Sequence, residues 1–386
     1  MNIGIIGMGR RGAVYLKLFN SGNLKDGILY SVCDKDTGTM ESNISKYYSG
    51  EVKKYTDFTS MLQDENVEGV VICTPDTTHK EIVLECMKYG KNIILEKPIA
   101  TTIQEGLEIY DAAKNYDKTF CLGFVLRYTD FYRKIKKLTA EGAVGDILTV
   151  EANENLDYIH GSSFFRRWHK DKSKNGGLIN GKCCHDFDIL NWIIGRDPKY
   201  VSSFGGMTHF VKMDDFTLDC DDCARSNECI YNYNNIDYGD FLPAEHNCVY
   251  NAYKDIVDHQ VVTIEYSDYV TASFTLSILS GKSNRSITIY GTKATLKADV
   301  VSGSICVSPL ASDKEIVYNT ARPTDGHLGG DLGLFTDFIR SSSGEINKIN
   351  DVRSGLYSSL ITLGAEISRE RREIVNISDI SANDKS

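Results

Sequence analysis

Several groups of residues in this 386-residue chain have the types and spacing to do chemistry. Gly7-Met8-Gly9-Arg10-Arg11-Gly12 is a G-x-G-x-x-G run. It follows the apolar stretch Asn2–Ile6 and opens a segment with apolar residues at helical spacing, Ala13, Val14, Leu16, Leu18 and Phe19. In that context the first glycine permits a tight turn and the second lets backbone approach a pyrophosphate. The third lets helix and strand pack closely, and the helix N-terminus offers free N–H groups to the phosphates. Asp34 ends a second apolar run, 22 residues beyond Gly12. A carboxylate there accepts from a ribose 2′-hydroxyl and repels a 2′-phosphate, which predicts NAD over NADP. Lys35 beside it can tolerate the phosphate, so NADP stays a weaker alternative.

Two further motifs end apolar runs. Thr74-Pro75 with His79 follows Gly69–Cys73, and Glu96-Lys97-Pro98 follows Asn92–Leu95. In an open α/β sheet ligands sit beyond the carboxyl ends of the strands, so both motifs face a cofactor cleft. A lysine at that edge can polarise a substrate hydroxyl or carbonyl, and Pro98 stiffens the turn that presents it. The bland alternative is a surface Lys97 paired with Glu96. Lys182 and His185 lie three apart before an apolar helix, on one helical face. Histidine titrates near neutrality and suits a group that takes a proton as hydride leaves.

Cys220, Cys223 and Cys229 form C-x2-C-x5-C, and 18 residues separate Cys229 from Cys248. Four thiolates so spaced can close a tetrahedral zinc site with no open position, which makes the expected metal structural. An Fe–S cluster and free thiols are the alternatives, and His246 can replace Cys248. Residues 214–247 are polar and rich in Asn and Asp, so a metal staple would explain how they hold together.

Taken together, Gly7–Gly12, Thr74-Pro75…His79, Glu96-Lys97-Pro98 and Gly123…Arg127 resemble the glucose–fructose oxidoreductase / inositol dehydrogenase family, Gfo/Idh/MocA, along essentially the whole chain. The resemblance implies a Rossmann domain followed by an α/β domain whose large open sheet mediates dimers or tetramers. It implies that Gly7, Met8, Gly9, Arg10, Arg11, Gly12, Asp34, Thr74, Pro75, His79, Glu96 and Lys97 form the cofactor site, with Lys97 near nicotinamide C4. His185 falls on the histidine of the family's Asp-x-x-x-His, but Gly181 stands where the aspartate is usual. Lys182 resembles the Lys-Cys-Cys-His variant and compensates in this reading. Arg127, Tyr128, Trp168 and His327, the last in a His-Gly-Gly-Asp-type loop ending at Asp331, are implied to contact a sugar or cyclitol. For Trp168 core packing is the alternative. The implied activity is an NAD(P)-dependent dehydrogenase acting on CH–OH groups. A redox glycosidase and a non-catalytic dinucleotide sensor or partner subunit are the competing readings.

The elements that must position these residues follow from periodicity. Residues 1–122 alternate apolar strands (2–6, 28–33, 69–73, 92–95, 119–123) with helical segments (11–20, 57–64, 77–89, 102–116), the pattern of βαβ units on a parallel sheet. Residues 123–386 read as a second domain. It has helices at 129–141, 184–194, 330–341 and 351–369, strands at 147–154 and between 261 and 298, a loop-like stretch at 155–177, and a Cys-rich insertion at 214–248. Runs of strands without interleaved helices predict a mostly antiparallel sheet. The net charge of −10 and the absence of a basic run argue against nucleic acid or an anionic membrane as partner. No run of eighteen apolar residues exists and no signal-peptide pattern opens the chain. Eleven cysteines without such a signal predict reduced thiols and a cytoplasmic protein.

Overall fold

The structure, a computed structural model, describes residues 1–236, 246–321 and 329–382. It forms two compact units: Met1–Arg133 with Pro323–Ser359, and Lys134–Arg322 with Leu360–Ser386. Set beside the sequence boundary near 122, the first unit runs eleven residues further and takes in a late stretch of chain.

The first unit is a six-stranded sheet of β1 (Asn2–Ile6), β2 (Ile28–Cys33), β3 (Lys53–Tyr55), β4 (Gly69–Ile72), β5 (Asn92–Leu95) and β6 (Phe120–Leu122) in the order β3-β2-β1-β4-β5-β6. All pairs are parallel. Helices α1 (Arg10–Asn20), α2 (Thr37–Tyr47), α3 (Phe58–Leu62), α4 (His79–Lys88) and α5 (Ile103–Ala113) make the crossovers. Side chains alternate between the two faces of a strand, and here both faces are buried. Val70, Ile72, Ile93, Leu95, Phe120 and Leu122 enter one core, while Val71, Ile94 and Cys121 enter the other. That is why the strands read as unbroken apolar runs. The strand order reverses between β1 and β4, which leaves a crevice beyond their carboxyl ends.

The second unit is built on β7 (Ile147–Asp157), β8 (Pro198–Gly206), β9 (His259–Tyr266), β10 (Thr271–Ser280), β11 (Asn284–Gly291), β12 (Ala294–Asp299), β13 (Ser304–Pro309), β14 (Ile316–Asn319) and β15 (Val375–Asn376). The order is β14-β13-β12-β11-β7-β10-β9-β8-β15, and the β7–β10 pair is parallel while the others are antiparallel. Helix α6 (Asp130–Ala140) joins the units. The stretch after β7, read as loop, carries α7 (Tyr158–Ser163) and α8 (Lys172–Asn175).

Helix α9 (Leu178–Ile194) starts six residues before the expected 184. Gly177 enters it at φ +102°, where its N–H donates to Asn175 Oδ1 at 2.7 Å. The Asn180 side-chain amide then reaches back to the Asn175 carbonyl at 2.9 Å. Phe187 packs 4.9 Å from Phe274 of β10, and Asn180 Oδ1 accepts from Thr362 at 2.6 Å on the opposite side. A helix covered on both sides has no apolar stripe, so periodicity cannot mark its start. The uncovered face of the sheet exposes Leu148, Phe204 and Val261.

Helix α10 (Gly330–Ser343) explains the discontinuous first unit; α11 (Val352–Arg371) follows it. Leu334, Phe335, Phe338 and Ile339 form one apolar face of α10 and join Ile3, Ile5, Val32, Val71 and Ile94 in one core. Phe338 is fully buried, and its ring, with the Met1 side chain, fills the space that a side chain at Gly69 would need. We therefore expect Phe338→Ala to cost about 3–5 kcal/mol, the usual range for a buried phenylalanine. Urea unfolding monitored by circular dichroism checks this. An unchanged midpoint would show that α10 does not complete the first core.

Candidate active site

Each unit presents one half of the predicted chemistry. In the first, Gly7 sits at φ +96°, and a side chain there would lie 2.7 Å from the Cys73 carbonyl group. A side chain at Gly12 would collide with the Gly7 carbonyl oxygen. Both glycines are therefore required by packing alone. Gly9 differs. It is the N-cap of α1 with no side-chain cap, and a Cβ there would meet nothing within 4 Å. Open space over an uncapped helix N-terminus suits a pyrophosphate. Met8 is buried and Arg10 exposed. Asp34 accepts the Met8 N–H at 2.6 Å through one oxygen and the Asp36 N–H at 2.9 Å through the other. Its carboxylate thus braces the loop it was expected to serve.

Beyond β4 and β5 lie Thr74-Pro75 and Lys97. His79 is fully buried between them: Nδ1 lies 2.8 Å from the Pro98 carbonyl oxygen and Nε2 3.2 Å from that of Thr74. Burial lowers its pKa, so the ring is neutral and donates one N–H, the shorter contact being the better candidate. His79 therefore ties the two turns together. Thr78 Oγ1 braces the first turn through Thr74 Oγ1 at 2.7 Å. Lys97 is half-buried beside Asp76. Burial pushes the Asp76 carboxyl up to about 7, with Lys97 opposing and Glu96 adding to the rise.

Arg11 is held by three side chains. Its guanidinium bonds Glu96, Asp331 and Tyr15, the last at 2.8 Å, and Tyr15 also donates to Glu96. Arg11 and Glu96 are thus side-chain partners of each other. Arg127 lies 3.9 Å from Asp351 and over the Phe124 ring, while Tyr128 packs against Gly333 of α10.

In the second unit, α9 brings Lys182, His185 and Asp186 to one face. Lys182 Nζ lies 2.7 Å from Glu154 Oε1 on β7. Arg285, directly opposite Glu154 in the β7–β11 register, pairs with it and lies 3.0 Å from Asp186 Oδ1. Burial pushes the Asp186 carboxyl up to about 7 against the pull of Arg285. Glu154 is held below its usual range: burial opposes its charge, but Arg285 and Lys182 together prevail. His185 is buried one residue before Asp186. Gly181 lies one turn into the helix, where a side chain would touch Asn175 at 3.4 Å.

Trp168 is 36% exposed and stacked on His169 at 3.8 Å, which removes the core-packing alternative. His327 lies outside the described residues. Cys220, Cys223, Cys229 and Cys248 line one cavity of about 10 Å³, together with Arg166. Sequence reasoning missed Tyr15, Asp76, Glu154 and Arg285. Of these Asp76 carried a usable signal, since it sits inside the Thr74–His79 motif. The others meet their partners only through long-range pairing.

Known proteins match this chain in family and in fold. The family model described as "Oxidoreductase family, NAD-binding Rossmann fold" matches residues 1–124, and the GFO/IDH/MocA C-terminal domain matches 132–297. The chain is 28% identical over 213 residues to the myo-inositol 2-dehydrogenase of Thermotoga maritima, covering 54% of this chain and 59% of that protein. Two solved structures share the fold. Levoglucosan dehydrogenase in complex with NADH and levoglucosan gives a TM-score of 0.76 at 17% identity, covering 98% of this chain and 99% of that one. Scyllo-inositol dehydrogenase of Lactobacillus casei with NAD(H) and scyllo-inositol gives 0.73 at 19% identity, again over 98% and 99%. A bracing acid after β2, an open glycine at the start of α1 and two matching domains lead to one assignment: the chain belongs to the GFO/IDH/MocA family of NAD-binding oxidoreductases.

Proposed function

We propose that this protein is a dehydrogenase of cyclitol or sugar hydroxyls that uses NAD in preference to NADP. The observation that carries the reading is the gathering of the open glycine loop, Thr74-Pro75 and Lys97 at the carboxyl ends of the neighbouring strands β1, β4 and β5. Bound NAD supplies the hydride acceptor. The N–H groups that follow Gly9 hold the pyrophosphate and Asp34 the ribose hydroxyls. The Lys97 ammonium holds the reacting oxygen, and an imidazole nitrogen of His185 takes the proton. Lys182, engaged with Glu154 at 2.7 Å one turn from His185, is a positioning residue. Arg127, Tyr128 and Trp168 contact substrate hydroxyls in this reading. Free thiols throughout the chain support a reducing, cytoplasmic setting, and the apolar patches on the uncovered sheet face support a homodimer or homotetramer.

Gly181 in place of an acid favours a second reading, a redox glycosidase that oxidises, eliminates, hydrates and re-reduces within one turnover. A panel of sugars, cyclitols and chromogenic glycosides separates the two. NADH accumulating in step with a keto product supports the dehydrogenase. Aglycone release with a trace of NAD and no net NADH would replace it with the glycosidase.

Four outcomes are expected. Gly9→Ala should leave the melting temperature unchanged, because its Cβ meets no atom, yet weaken NAD binding by about ten-fold or more, roughly 1.4 kcal/mol. Gly12→Ala should instead destabilise the fold by about 1–3 kcal/mol, since its Cβ collides with the Gly7 carbonyl. Calorimetry and thermal melts read both effects, and an equal response of the two variants contradicts the pyrophosphate assignment. Calorimetry should also give NAD about ten-fold tighter than NADP, because Asp34 stands against the 2′-phosphate; equal affinities would mean that Lys35 or Arg10 governs the pocket. Lys97→Met should cut turnover at least about a hundred-fold with NAD affinity nearly unchanged. Near-normal turnover in that variant rules out Lys97 as the group that holds the reacting oxygen.

A further inference from the structure

We propose that Cys220, Cys223, Cys229 and Cys248 hold one structural zinc ion, which closes the insertion of the second unit. All four side chains line the same small cavity. Its volume, about 10 Å³, is that of a single small sphere and suits one ion rather than an organic ligand.

The backbone brings the four cysteines together by separate means. Asp219 and Asn247 form an antiparallel bridge. Beside it, the Cys220 N–H donates to the His246 carbonyl at 3.1 Å and the Cys248 N–H to the Leu218 carbonyl at 2.9 Å. This short ladder sets the first and last cysteines on adjacent rungs. A turn with Ser226 N–H on the Cys223 carbonyl at 3.1 Å, and Cys229 N–H on that of Arg225 at 3.1 Å, folds the middle two back toward them. No thiol of the four is spent in a disulfide.

Charge points the same way. Arg166 is fully buried and reaches the Cys220 sulfur from both terminal nitrogens at 3.4 Å, while also donating to the carbonyls of Asn247 and Tyr231. Zinc with four thiolates carries two net negative charges. A buried guanidinium donating to one sulfur is the outer-shell partner that such a centre needs. Each Zn–S bond replaces an S–H bond, and the proton leaves to solvent.

Phe210, Tyr231 and Tyr250 pack together beneath the site, with ring centroids 5.2 to 5.8 Å apart. The insertion therefore has some apolar support of its own, contrary to its polar sequence. The ion pins the turn that this cluster does not reach.

Among the described residues, the one group of three or more His, Cys, Asp or Glu side chains whose ligand atoms all lie within 4.8 Å of one another is Asp219, Asp221 and His246, so the four thiols must draw closer together to bind the ion. Asp221 is exposed, and its carboxylate accepts from His246 at 2.8 Å. The test must separate this set from the cysteines.

The full chain, purified without chelator, should contain about one zinc per chain by elemental analysis. Replacement by cobalt(II) should give the intense visible bands and thiolate-to-metal absorption of a tetrahedral sulfur site. Cys223→Ser and Cys229→Ser should each lose the metal while still binding NAD, which shows that they remain folded, and His246→Ala should keep it. Four outcomes would overturn the proposal: no stoichiometric metal in the wild-type chain, iron in place of zinc, a cobalt spectrum without thiolate absorption, or metal lost in His246→Ala and retained in Cys223→Ser.

Discussion

The first unit depends on one partly buried cation. Arg11 is caught between Glu96 and Asp331, with the Tyr15 hydroxyl completing the group. Burial disfavours its charge, but Glu96, Tyr15 and Asp331 more than offset this and raise its pKa. The three segments so joined are the start of α1, the end of β5 and the start of α10. The first presents the glycine loop, the second presents Lys97, and the third brings the helix that completes the core. Removing one partner from such a group leaves an uncompensated buried charge, worth about 3–5 kcal/mol. The site's two turns and its most distant core element are therefore stabilised together.

The second unit repeats the device with different parts. Glu154 on β7 is shared by Lys182 of α9 and Arg285 of β11, and Arg285 is shared again with Asp186. This chain of contacts, Lys182 to Glu154 to Arg285 to Asp186, fixes the azimuth of α9 on its sheet. That azimuth decides which face carries His185. The helix cannot set it by amphipathicity, because nearly all of its surface is covered.

Each unit thus places a carboxyl group with a pKa pushed up to about 7 next to a residue assigned to the chemistry, Asp76 beside Lys97 and Asp186 beside His185. Burial is the leading cause in both. Groups so perturbed gather at functional sites, because the desolvation that shifts them is also what strengthens their interactions with a bound ligand. The glycine loop uses another means. Its acid, Asp34, is spent on two backbone N–H groups, which fixes the loop before any ligand arrives.

The parts legible in the sequence are those governed by local physics. Gly7 and Gly12 are demanded by a turn at positive φ and by contact between helix and strand, both set within a dozen residues. The strands of the first sheet were legible because burial on both faces makes each a continuous apolar run, and Lys97 because it ends one of them. The cysteine cluster was legible as spacing. The tertiary structure alone decided the rest. Arg11 and Asp331 are 320 residues apart, and Glu154 and Arg285 meet only because β7 and β11 pair in one particular register. Helix α10 belongs to the first core because its Phe335 and Phe338 fill space beside Ile3 and Val71, a fit of shapes that no pattern along α10 records. Local sequence specifies turns, runs and helical faces. Which buried charges meet depends on how the whole chain closes, and each charge must find a partner there because an unpaired one is too costly to bury.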